Sequence, residues 1–79
     1  VTNDGATTIN APTMASGESC SMVVLLTNTT GAGAVTLGVT HVAPGDDLTT
    51  TTTDEFMIFI TAVDVGGTTY STATVIALQ

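Results

Sequence analysis

The chain of 79 residues contains no lysine, no arginine and no tryptophan. Seven acidic residues therefore stand unopposed, for a formal net charge of -7. With no cationic side chain to neutralise phosphates, nucleic acid is not an expected partner. Anionic membrane surfaces are disfavoured for the same reason. Cysteine occurs once, at Cys20, which precludes an internal disulfide. With the single His41 it falls at least two ligands short of a structural zinc site. No basic residue adjoins Cys20 to activate it, so a small buried hydrophobe is expected there rather than a reactive thiol. Long apolar runs are also missing: "MVVLL" and "FMIFI" are far below the roughly 20 residues of a spanning helix, so no membrane insertion is expected. No positively charged leader precedes them, and the chain opens at Val1 without Met, as a processed chain or a piece of a longer one does.

These absences bear on stability. A domain of this length buries only about 60 to 70 per cent of the surface its unfolded chain exposes, and the usual staples of small domains are missing. Oligomerisation is the remaining device. Two phenylalanines and one tyrosine are the only aromatics, so the core must come largely from Val, Ile, Leu and Ala.

Threonine is abundant, at nineteen residues. With the valines it stiffens the chain at χ1 and favours a pleated surface, while Gly, Pro, Asn and Asp punctuate short segments. The pattern predicts one all-β domain over residues 1–79, a small antiparallel β-sandwich or jelly-roll-like fold. "NDG" at 3–5 is a turn signal, "TTIN" a short first strand, and "NAPTMASGES" a loop. "SCSMVVLLT" places Cys20, Met22, Val24 and Leu26 inward. "AVTLGV" alternates cleanly, with Val35, Leu37 and Val39 inward, and is expected to form a hairpin with the preceding strand. "HVAPGDDL" is an irregular loop. The five threonines at 49–53 are expected to form an extended, soluble segment beside a sheet edge; a glycosylated stalk would need many more Ser, Thr and Pro.

"DEFMIFITAV" at 54–63 is apolar on both faces. Phe56, Ile58, Ile60 and Ala62 form one, and Met57, Phe59, Thr61 and Val63 the other. A strand of that kind is either covered by two layers or offers its second face to another subunit, and so short a chain has little to build a further layer from. Met57, Phe59 and Val63 are therefore the candidate subunit contacts. "DVGGTTY" turns through Gly66 and Gly67 into a last strand, "YSTATVIALQ".

Few residues point to chemistry. His41 either continues the parity of Val35, Leu37 and Val39 toward the core or lies in the loop before Pro44, and in neither place has a nucleophilic partner at a readable spacing. Asp46, Asp47, Asp54 and Glu55 would interest calcium only if the threonine run looped back, and no EF-hand-like spacing occurs. Asp47, Asp54 or Asp64 would have to converge for glycoside hydrolysis, with little room for a sugar cleft. Catalytic residues, a metal and a cofactor are accordingly not expected. Tyr70 is the candidate ligand surface, an aromatic able to stack on a sugar or to pack over a hairpin. "NTT" at 28–30 fits the N-glycosylation pattern, meaningful only in a secreted protein.

The order "NAPTMASGES", "MVVLLT", "TGAGAVTL", "PGDDLTTT" and "DEFMIFITAVDVGGTTY", spanning residues 10–70, resembles the threonine- and glycine-rich β domains of tailed-bacteriophage virion proteins. Pro12, Gly17, Gly31, Pro44, Gly45, Leu48, Asp54, Gly66, Gly67 and Tyr70 stand where that pattern expects them. Asp46 replaces a glycine, Val65 is inserted before the glycine pair, and Tyr70 replaces the usual tryptophan. The resemblance implies a β-sandwich or jelly-roll-like module without enzymatic activity, placed on the virion surface in contact with copies of itself and with other capsid or tail proteins. A short chain of this kind suits a capsid-decorating or cementing protein or a head-fibre subunit. A glycan- or receptor-binding module of a tail fibre is the alternative, as is a pilus-like subunit that lends residues 1–9 to its neighbour. An acidic coat of this composition would assemble best where salt screens its self-repulsion, as in seawater.

Overall fold

Alternation organises the longest strand of the computed structural model, which describes residues 1–78. In Glu55–Val65, Phe56, Ile58, Ile60 and Ala62 are at most 1 % exposed, whereas Thr61, Val63 and Val65 between and beyond them face solvent. Every regular element of the described residues is a strand: β1 Thr2–Asn3, β2 Thr7–Asn10, β3 Ser19–Asn28, β4 Val35–Gly38, β5 His41–Val42, β6 Glu55–Val65 and β7 Thr68–Ala77. The chain is all-β, as its threonine and valine content predicts. A mixed five-stranded sheet runs β1-β3-β6-β7-β5, and a second sheet consists of β2 and β4.

The core lies on the inner face of the larger sheet. Val24 and Leu26 of β3, Phe56, Ile58 and Ile60 of β6, and Ala73 and Val75 of β7 meet Ile9 of β2 there, with Val35, Leu37 and Leu48 packed against them. Burial of each large aliphatic or aromatic side chain contributes about 1.5–3 kcal/mol. The four-residue strands β2 and β4 are much shorter than β3, β6 and β7. Met22, an inner-face residue paired with Ile60, therefore remains 36 % exposed, and Cys20 is half-buried rather than buried.

Only β3/β6 and β6/β7 pair antiparallel; β1/β3, β2/β4 and β5/β7 are parallel. This corrects the expected antiparallel arrangement, and the cause is the chain's path between sheets. β2 leads to β3 in the larger sheet, β4 returns beside β2, and β5 crosses back to β7. β1 and β3, and likewise β2 and β4, are separated by an excursion into the other sheet and arrive in the same direction, whereas β5 and β7 are parallel because β6 of their own sheet runs back between them in sequence. The expected hairpin of β3 with β4 is replaced by that crossing. At Gly33 the backbone passes so close to β2's approach that a Cβ would lie 2.5 Å from the Ala6 nitrogen, so only glycine lets the chain leave β3 in this direction.

The β6–β7 hairpin forms as its sequence predicts. Gly66 and Gly67 adopt φ of 60° and 87°, the left-handed pair of a two-residue turn whose twist suits the flanking strands. β1 was not anticipated, being two residues in a segment with a turn signal. The threonine run is a different correction. Thr49–Thr53 form an exposed loop at the end of the sheet, not an extended segment along its edge. Asn28 fixes it there: its Nδ2 donates to the carbonyls of Thr49 and Thr51 at 2.8 and 3.1 Å, and its own carbonyl accepts from the Thr53 amide.

Candidate functional site

The outer face of the larger sheet is built by strand register. Paired residues in neighbouring strands share a face, so Leu25, Met57 and Ile76 form one row, and Val23, Phe59 and Thr74 the next. Ser21, Thr61, Thr72 and His41 follow, then Ser19, Val63 and Tyr70. The first two rows make an uncharged apolar patch in which Val23 is 56 %, Leu25 48 % and Ile76 43 % exposed. Glu55 closes it at one end, opposite Thr27. The fold is only 15 Å thick along its shortest axis, room for two sheets about 10 Å apart and for no third layer over this face.

Met57, Phe59 and Val63 all lie on this face; Met57 is half-buried beneath its neighbours, and the other two are more than a third exposed. Val63 sits apart from the other two, beyond the hydroxyl row, beside Tyr70. Val23, Leu25 and Ile76 enlarge the patch beyond the residues singled out from the β6 sequence. Ile76 was legible in the alternation of "YSTATVIALQ", in which Tyr70, Thr72, Thr74 and Ile76 face the same way as Phe59.

At the opposite end, His41, Thr61, Val63, Tyr70 and Thr72 line an open, mainly apolar recess of about 420 Å³. Tyr70 is 52 % exposed. His41 belongs to β5 opposite Thr72 and is exposed, so the reading that pointed it toward the core does not hold. The strand parity of β4 is broken by the bend at Val39–Thr40, where the chain changes sheets.

The acidic residues are dispersed, and several are engaged in backbone and hydroxyl contacts. Asp64 is buried, accepting from the Gly67 amide at 2.9 Å and the Thr69 hydroxyl at 3.1 Å, and so closes the hairpin. Asp46 accepts from the Ala77 amide at 2.7 Å, and Asp54 from the Thr49 hydroxyl at 2.7 Å. Among the described residues no three His, Cys, Asp or Glu side chains are grouped to hold a metal. The "NTT" pattern falls on Asn28, whose amide is buried and already hydrogen-bonded, so the folded chain does not present it for glycosylation.

No protein-family model, curated protein or solved structure matches the chain. What the fold and the outer face define is an all-β chain with a one-sided core and an uncovered apolar patch on its outer sheet face.

Proposed function

We propose that this chain is a non-enzymatic structural subunit of a bacteriophage particle, a small capsid-decorating or head-fibre protein. Its two facing sheets form a small sandwich of jelly-roll-like character, and its outer sheet face is covered by further copies of the chain in a symmetric assembly. The observation that carries this reading is the patch of Val23, Leu25, Met57, Phe59 and Ile76. Glu55 lies only at the end of the patch, so copies can meet on its apolar rows without burying a carboxylate in a chain of net charge -7, in which contacts between acidic surfaces are opposed by repulsion. The resemblance across residues 10–70 supplies the virion context.

The recess at Tyr70 favours a second reading, a tail-fibre module for neutral glycans, with the ring as a stacking platform and the threonine hydroxyls beside it. A strand-exchanging pilus subunit has less support, because β1 and β2 are paired within their own chain. The test is intact-mass analysis of purified particles of the virus that encodes the chain. Trypsin has no Lys or Arg to cut, so intact mass is the suitable readout. Recovery in a fixed ratio to the major capsid protein is expected; absence from purified particles overturns the proposal.

A further inference from the structure

We propose that the free edge of β3 pairs antiparallel with the same edge of a second copy, centred on Ser21, so that two five-stranded sheets become one. The inference rests on the assembly reading and identifies a specific contact within it.

β3 has β6 on one side and on the other only β1, which pairs with Thr27 and Asn28. The Val1 amino group reaches one step further, donating to the Leu25 carbonyl at 2.7 Å. Beyond that point Ser19–Val24 has no neighbour on this side among the described residues. The direction of its backbone groups follows from those that are bonded. Thr27 and Thr29 donate outward to Val1 and Asn3, whereas Asn28 donates inward to Asp54. In an antiparallel ladder this alternates residue by residue, so Ser19, Ser21 and Val23 present their N–H and C=O groups to solvent. Edge strands are normally blunted by lysine, proline or a bulge; "SCSMVV" has neither residue, and its pairing with β6 runs without a bulge. The opposite edge of the sheet is occupied: β5 covers Thr72 and Ala73, Asp46 engages both Val75 and Ala77, and Thr40 binds Ser71.

The partner that fits this edge is the edge itself. Its outward groups are symmetric about Ser21, so a two-fold axis normal to the sheet sets Ser21 opposite Ser21 and Ser19 opposite Val23, with an N–H facing a C=O at each place. β1 blocks the strand beyond Leu25, and the turn at Gly17, with φ of 83°, carries the chain away at the other end, so the register has a stop on each side. No charged side chain lies within Ser19–Asn28, so pairing sets no carboxylates of this acidic chain against one another along the strand. The same axis keeps both outer faces on one side, with the apolar patches of the two copies on either side of the Ser21 seam.

Cross-linking tests the register. In a Cys20→Ser background, Ser21→Cys places two thiols on residues about 5.5 Å apart at Cα, within disulfide reach. Mild oxidation is expected to convert the chain to a covalent dimer of twice its 7.9 kDa mass. Ser19→Cys and Val23→Cys chains are expected to link in mixture but not each alone, because like positions then lie about 13 Å apart, at roughly 3.3 Å per residue. Phe59→Asp, which disables the face, should leave both results intact. An oligomer in light scattering whose Ser21→Cys thiols stay reduced overturns the edge pairing and leaves the assembly reading standing. A monomer under all conditions, with no cross-link, overturns both.

Discussion

The side chain of Asn3 donates to that of Asn28 at 3.0 Å, with Asn3 fully buried and Asn28 2 % exposed. This pair ties two loops to the end of the sheet. Asn3 also donates to the Gly33 carbonyl and accepts from the Gly33 amide, holding the crossing from β3 to β4, while Asn28 holds the threonine loop. Replacing Asn28 by alanine strips the Thr49 and Thr51 carbonyls of their donor and leaves the Asn3 amide short of an acceptor. A loss of about 2–3 kcal/mol is expected, in line with the cost of orphaned buried polar groups. Melting should fall by roughly 10–20 °C, given about 4–8 °C per kcal/mol for a domain of this size. Thr50→Ala, on the exposed loop, should melt like the parent.

Phe56 and Phe59 separate folding from assembly, being three residues apart on opposite faces of β6. Phe56→Ala, at a core position 1 % exposed, is expected to cost about 3–5 kcal/mol and to unfold so small a domain at ordinary temperature. Phe59→Asp should retain the parent's strand signal in circular dichroism while lowering its native mass. Loss of fold in Phe59→Asp would show that the outer face belongs to the core.

Turn geometry gives a third comparison. Gly67→Ala forces a Cβ into a left-handed conformation and is expected to cost about 1–2 kcal/mol, measured by urea denaturation. Gly5→Ala, in open space and without positive φ, should change stability by a few tenths of that.

These contrasts also mark how far the sequence carries. The alternation of β6, its hairpin with β7, and the outward placing of Met57, Phe59 and Val63 are local, and local pattern reveals them. The partner of β4 is not local: it depends on an amide pair 25 residues apart in sequence and on a close backbone approach at Gly33. Asn3 stands in "NDG", where asparagine signals a turn, so nothing in its neighbours marks it as a buried anchor. The position of His41 stayed open between core and loop for a related reason, since parity holds only within one sheet and the chain changes sheets just before it.

Tyr70→Ala distinguishes the two functional readings. The hydroxyl row lies between Tyr70 and the apolar patch, so assembly should be unaffected and native mass unchanged. Under the glycan reading, the same substitution abolishes retention on a neutral-glycan array.

The most direct measurement is the native mass of the chain by light scattering coupled to gel filtration, at low and at seawater-like salt. With net charge -7 and no Lys or Arg to offset it, copies repel across a Debye length of about 30 Å at 0.01 M, shrinking to roughly 3 Å near 1 M. A closed oligomer that strengthens with salt and is lowered in mass by Phe59→Asp is the expected result. A monomer at both salt concentrations would contradict an assembly built on the outer face.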